Sequence, residues 1–192
     1  MPAPKKAAKK AAKKAARKTV GHHHDKHHQA NDLRRAYEHM GRLKVLRKSL
    51  KSSSADVVGA LTELAQKEIE GGHNKDAADL LRASEHLSFA FLAGDSPVGG
   101  RISAELEQAL AEHFDELTRR ADDHWEDKEQ HSHTLTSIYQ SSRKSAAKAF
   151  KGGAYHQALE FARAAEALAH VTQDDGSLKP EKGHKNLQLK SA

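Results

Sequence analysis

The chain of 192 residues contains no cysteine, which excludes disulfides, thiolate zinc sites and thiol catalysis. Its apolar runs fall well short of the roughly 18–20 residues that a membrane span needs. The basic N-terminus lacks the apolar segment of a secretory signal. Glycine-rich phosphate loops, nucleophile elbows and metalloprotease helices are also missing. These absences predict a cytoplasmic protein that is not an enzyme.

Residues that favour β-strands are scarce. Aromatic residues make up 5% of the chain, and alanine, leucine, glutamate, lysine and glutamine dominate from Asn31 onward. This composition favours helices over strands. We therefore predict an all-α fold, either a six-helix bundle or a short solenoid. The predicted helices are 31–51, 55–70, 74–93, 101–130, 134–151 and 154–171.

Turn residues separate the predicted helices. Two glycine pairs, Gly71-Gly72 and Gly152-Gly153, are expected to end the second and fifth helices. The serines at 52–54 are expected to cap the second helix at its N-terminus. Residues 172–192 lose the helical periodicity and are predicted to form a polar tail.

Two segments recur along the chain and indicate an internal duplication. The first begins at Arg34 and recurs at Arg119, an offset of 85 residues; matches after the two glycine pairs have an offset of 81. We predict two three-helix units, at about 31–94 and 101–171, within one helical domain of residues 31–171. In each unit the spacing also predicts an ion pair three residues apart on the third helix. The later matches are Ala77, Arg82, Ala83, Glu85 and Leu87 with Ala158, Arg163, Ala164, Glu166 and Leu168.

The residues after the second glycine pair resemble part of a known repeat. Tyr155, Ala158, Ala162 and Ala165 have a spacing similar to the turn and second helix of a tetratricopeptide repeat. The resemblance covers about 30 residues per unit and implies close packing of two helices at small residues. The tryptophan, leucine-glycine and tyrosine positions of that family's first helix are missing, so the resemblance does not extend to peptide binding.

Positive charge is concentrated at the start of the chain. The formal net charge is +8 for residues 1–20, +5 for residues 21–51 and −7 for residues 52–192. Residues 1–30 are of low complexity and are predicted to form a disordered arm rich in lysine, alanine and histidine. With an apolar content of 37%, a homodimer that buries further helix surface is also expected.

The lysine and alanine repeat of the arm is its most specific feature. Its composition resembles the tails of linker histones and of bacterial histone H1-like proteins, which implies binding to DNA. Eight cations and no aromatic residue suit contacts to phosphates without base readout. The candidate contacts in the arm are Lys5, Lys6, Lys9, Lys10, Lys13, Lys14, Arg17 and Lys18.

The first predicted helix adds more cations around an apolar stripe. This pattern is typical of a basic amphipathic helix that lies on a phosphate backbone or on a membrane surface. Alternatively, its cationic face pairs with the acidic fourth helix, since 101–130 holds ten acidic and four basic residues. The predicted stripe is Leu33, Tyr37, Met40, Leu43, Leu46 and Leu50. The candidate nucleic-acid contacts are Arg34, Arg35, Arg42, Lys44, Arg47 and Lys48.

Histidine is abundant, with 15 residues. Two groups have spacings that suit imidazole ligation of nickel or zinc. One lies in the arm, and the other places three ligands on one helix face. For the group in the arm, a histidine-rich spacer without function is an equal alternative. For the group on the helix, polar surface residues that bind no metal are the favoured explanation. The candidate ligands are His22, His23, His24, His27 and His28 in the first group, and His124, Asp127 and His131 in the second.

Two Arg-x4-His motifs resemble the loose Arg-His pattern of the all-helical HEPN ribonuclease and nucleotide-binding family. They are Arg34 with His39 and Arg119 with His124. The resemblance implies a histidine that takes a proton from a ribose hydroxyl while the arginine holds the phosphate.

The charge distribution favours a non-enzymatic, sequence-nonspecific DNA-binding protein of the nucleoid, with double-stranded DNA as the expected partner. Three alternatives remain open at this point: a helical scaffold for protein interactions, a histidine-rich metal-binding protein and a HEPN-like protein that acts on RNA.

Overall fold

The computed structural model describes residues 27–94, 102–126 and 132–172. These residues contain six α-helices and no strand, so the predicted all-α fold is confirmed. Within this part of the chain, no helix is both long and apolar enough to cross a membrane. In chain order the helices are α1 (27–46), α2 (Ser52–Gly71), α3 (Asn74–Ala93), α4 (Ala104–Glu126), α5 (His133–Lys151) and α6 (Tyr155–Ala169).

The first helix includes residues that were predicted to belong to the disordered arm. Residues 27–30 are helical, so the predicted boundary at residue 31 was wrong. Asn31 donates to His27 one turn earlier, at 3.3 Å, and Asn74 of α3 donates to the carbonyl of Gln29 at 3.3 Å. The bond from Asn74 attaches the start of α1 to α3. The remainder of the arm, 1–26, lies outside the described residues, as does most of the tail, 173–192.

The start of α2 also differs from the prediction. Lys51 is the N-cap residue, with extended backbone and no side-chain capping bond, and the serines lie in the first turn of the helix. The expected serine cap was therefore wrong. A turn of 3₁₀ helix, Arg47–Ser49, ends α1, and half-buried Leu50 then packs against the core, so that the chain enters α2 at Ser52.

The two glycine pairs end α2 and α5 as predicted, and they form equivalent turns. Gly72 and Gly153 have positive φ angles of 82° and 76°, which a side chain disfavours. In each turn the following residue donates its N–H to a carbonyl five residues earlier, at 2.8 Å from His73 to Glu68 and at 2.9 Å from Ala154 to Ala149. The offset is 81 residues at both ends of this bond, the same as in the sequence matches.

The third helices of the two predicted units lie at the centre of the molecule. Helix α3 packs against α2 and α6, and α6 packs against α3, α4 and α5. Ten of the 15 residues of α6 are buried, six of them alanine, whereas α4 buries four of 23. Because alanine is small, it lets three neighbouring helices approach α6 closely. Helix α4 is correspondingly peripheral.

Candidate functional site

Six candidate contacts of the first helix lie at the surface, as a nucleic-acid interface requires. Arg34, Arg35, Arg42, Lys44, Arg47 and Lys48 are all exposed.

The buried face of α1 differs in part from the predicted apolar stripe. Tyr37 is 57% exposed, so its place in the stripe was wrong. Ala36 is fully buried instead, whereas Leu43 is buried and Met40 packs against the core as the stripe predicted. Ala36 lies about 100° from Tyr37 around the helix, and its small side chain allows α1 to lie close to its neighbours.

Ion pairs join α1 to α3. Glu85 of α3 accepts from Arg42 Nε at 2.7 Å and contacts His39 Nδ1 at 2.5 Å. Burial raises the pKa of Glu85, but the hydrogen bonds with His39 and Arg42 outweigh burial and lower it. Pairing of α1 with the acidic fourth helix was the alternative considered above, and the ion pairs described here lead to α3 instead.

The other cations of α1 and of the turn that follows it have different surroundings from Arg42. Arg34 pairs with Glu38 on its own helix. The guanidinium of Arg47 lies over Gly59 of α2, where the Cβ atom of any other residue would come within 3.3 Å of Arg47 Nη2. A glycine at position 59 therefore leaves room for this arginine. Lys44 and Lys48 remain exposed on the same segment.

A cleft of about 720 Å³ lies between α1 and α3. Three cations line it, together with two histidines and two aspartates. Asp79 lies 3.6 Å from Lys75 and 3.5 Å from Arg82, and Asp32 lies 3.9 Å from Arg35. Burial raises the pKa of Asp79, and the attraction of Arg82 and Lys75 offsets only part of that increase. The ionisable lining residues are His28, Asp32, Arg35, His39, Lys75, Asp79 and Arg82.

Sequence reasoning missed the α3 side of this cleft. Lys75, Asp79 and Arg82 are spaced four and three residues apart, which places them on one helix face. That spacing was the available signal. It could not show that Arg35 and His39 of α1 lie opposite, because the pairing of helices is a tertiary property.

The ion pairs predicted within the third helices were wrong in both units. Arg82 pairs with Asp79, and Glu85 pairs with α1 as described above. In α6, Arg163 pairs with Glu160 at 2.6 Å, and Glu166 pairs with Arg120 of α4 at 3.2 Å. The two glutamates bind cations of neighbouring helices because they point between helices instead of along their own surface.

Glu160 also connects the two units. This buried carboxylate contacts His86 Nδ1 of α3 at 2.7 Å, in addition to Arg163. Burial raises its pKa, but the hydrogen bonds and charges of His86 and Arg163 outweigh burial and lower it. Glu160 is therefore held as an anion at the centre of the bundle.

The second histidine group is only partly within the described residues. His124 packs against His170, with 4.4 Å between the ring centres. Burial lowers the pKa of His170 to about 4, and the charges of His124 and Arg82 contribute. Asp127 and His131 lie outside the described residues, as do His22, His23 and His24 of the first group. In the part of the chain that is described, no cluster of three or more metal-ligating side chains is found.

Neither Arg-x4-His motif brings its two side chains to a common point. Residues five apart on a helix are separated by about 140° around its axis. Arg34 accordingly pairs with Glu38, while His39 contacts Glu85. In the second motif, Arg119 pairs with Glu116 and Asp123, while His124 packs against His170.

The single tryptophan packs within the second unit. Trp125 stacks on Tyr139, with 3.9 Å between the ring centres. Tyr139 donates to Asp122 at 2.6 Å, and Arg143 donates to the same carboxylate at 2.5 Å. Burial and the bond to Asp122 raise the pKa of Tyr139 far above its usual value. These contacts hold α4 and α5 together.

No protein-family model matches this chain, and no curated protein or solved structure is found to be similar to it.

Proposed function

We propose that the protein binds nucleic acid without sequence preference, through the basic arm and the cationic surface of α1, in the manner of a nucleoid-associated protein. The observation that carries the proposal is the segregation of charge, with +13 in residues 1–51 and −7 in the remainder. Duplex DNA has closely spaced phosphates, so binding releases counterions in proportion to the cations engaged.

The exposure of the α1 cations supports this proposal. Lys44 lies in the last turn of α1, and Arg47 and Lys48 lie in the 3₁₀ turn that follows it. All three side chains are exposed. Arg42 contributes less, because Glu85 neutralises its charge. The arm has closely spaced cations and no aromatic residue, so the expected contacts are to phosphates.

The salt dependence of binding to a random-sequence duplex tests the proposal. The eight arm cations alone account for a slope of log affinity against log salt near −7, about 0.9 for each cation. Because α1 adds exposed cations, the slope measured by fluorescence anisotropy should be steeper than this. Deletion of residues 2–20 should abolish binding. Retained affinity in that variant, or no binding by the full chain at about 50 mM salt, would contradict the proposal.

A matched pair of triple variants tests the contribution of α1. Replacing Lys44, Arg47 and Lys48 with glutamine should make the slope less steep by about 2 to 3. Replacing Lys144, Lys148 and Lys151 of α5 removes the same charge from another exposed surface. An equal change in both variants would show that only the overall charge matters, and would exclude α1 from the interface.

A further inference from the structure

The two predicted units use equivalent arginines differently. Arg35 of α1 corresponds to Arg120 of α4 at the offset of 85. Arg120 pairs with Glu166 at 3.2 Å, but the equivalent glutamate of the first unit, Glu85, binds Arg42 and His39 instead. Arg35 is left beside Asp32 at 3.9 Å, and it lines the cleft.

The second pair of equivalent arginines shows the same difference. Arg82 corresponds to Arg163 at the offset of 81, and Asp79 corresponds to Glu160. Glu160 contacts Arg163 at 2.6 Å, whereas the shorter Asp79 lies 3.5 Å from Arg82. One methylene less on the carboxylate leaves the guanidinium of Arg82 without a short contact to this acid, and Arg82 also lines the cleft.

The cleft therefore collects Arg35 and Arg82, whose counterparts in the other unit pair with glutamates. Arg35 approaches from α1, and Lys75 and Arg82 approach from α3. Their contacts to Asp32 and Asp79 measure 3.5–3.9 Å. Charge-assisted hydrogen bonds from N–H donors are shorter, at about 2.7–2.9 Å. Apart from its two histidines, the lining carries three basic and two acidic side chains.

We propose that the cleft between α1 and α3 is a binding site for a phosphoryl group, with inorganic pyrophosphate as its simplest ligand. Guanidinium groups donate paired hydrogen bonds to phosphate oxygens, and an ammonium adds a point charge. A volume of about 720 Å³ accepts pyrophosphate and also a larger molecule that carries it. Among the described residues that line it there is no phenylalanine, tyrosine or tryptophan, so recognition rests on the phosphoryl oxygens.

Calorimetric titration of the full chain with pyrophosphate at low salt tests this site. Arg82→Gln should weaken binding about ten-fold, through the loss of one charge-assisted contact. The matched control is Arg163→Gln at the equivalent position of α6, where binding should be unchanged. Both variants retain the arm, so weak binding of pyrophosphate by the arm cancels between them. Circular dichroism establishes that each variant is folded.

A second variant keeps the test decisive if Arg82→Gln does not fold. Asp79→Asn removes a negative charge from the lining, and it should strengthen pyrophosphate binding several-fold. Two results would overturn the site: no saturable binding of pyrophosphate at millimolar concentration, or an equal loss of binding in Arg82→Gln and Arg163→Gln.

A competition experiment distinguishes two sources of the phosphoryl group, a nucleic acid and a small phosphorylated molecule. If a short oligonucleotide displaces pyrophosphate, and Arg82→Gln weakens both ligands, the cleft holds a nucleic-acid phosphate. If only pyrophosphate is affected, the cleft serves a small phosphorylated molecule. Either result supports the site. Because the salt dependence of duplex binding is measured separately, failure of the cleft is distinguishable from failure of the arm.

Discussion

The two predicted units, α1–α3 and α4–α6, share their backbone turns but not their electrostatic contacts. The glycines at 72 and 153 have the same left-handed conformation, and the flanking hydrogen bonds correspond residue for residue. The buried acid of α6, Glu160, forms short bonds, whereas its counterpart Asp79 faces a cleft. Glycines and small buried residues therefore determine the backbone, while single side-chain changes determine which charges are neutralised.

The largest expected contrast between the units concerns these two acids. Glu160→Gln should lower the free energy of unfolding by about 2 kcal/mol, because His86 and Arg163 lose their hydrogen bonds to a buried anion. Asp79→Asn should leave it unchanged or raise it slightly, because burial raises the pKa of Asp79 and thus disfavours its charged form. Urea denaturation at neutral pH measures both. If the free energy of unfolding falls equally in the two variants, the two acids contribute alike and the expected difference between the units is wrong.

A smaller contrast between the units concerns the pH dependence of stability. The pKa of His170 falls from 6.5 to about 4 in the folded state, so the fold favours the neutral ring. Its stabilising contribution is complete above pH 6.5 and is lost as the pH falls towards 4. Because the ring is partly exposed, we expect a loss of about 1.5 kcal/mol, roughly half of the full shift.

The first unit supplies the control for this pH effect. The residue equivalent to His170 is Phe89, so His170→Phe makes the second unit resemble the first. Urea denaturation between pH 7 and pH 4 should show a shallower loss of stability in this variant. An unchanged pH dependence would mean that other groups cause the effect.

The smallest expected effect concerns the glycine turns that the two units share. Gly72→Ala and Gly153→Ala should each cost about 1 kcal/mol, because alanine disfavours positive φ. Gly152 has an ordinary helical φ of −81°, so Gly152→Ala should change stability by less than about 0.5 kcal/mol. Thermal or urea unfolding measures the three variants. Clearly different costs at 72 and 153 would show that the two turns are not equivalent in energy.

Much of the backbone could be predicted from the sequence. The six helices and both glycine turns follow from composition and periodicity, and α3 has the predicted bounds, Asn74–Ala93. The exposed cations of α1 were also found in this way. These features depend on residues close in sequence, where helical geometry determines which side chains share a face.

The partners of the charged side chains could not be predicted in the same way. Glu85 and Glu166 were expected to pair within their own helices, but each binds a cation of the first helix in its unit. Tyr37 was expected in the core, but small Ala36 occupies the buried face. The choice depends on which helix lies opposite, and that arrangement results from packing across the whole domain.

The position of α6 has a consequence for the synthesis of the protein. This helix contacts α3, α4 and α5, yet it is the last of the described helices to be translated. Until it has been made, the apolar faces of those three helices lack their common neighbour. A growing chain therefore exposes these surfaces to other proteins during translation, and the described bundle can close only after α6 has been made.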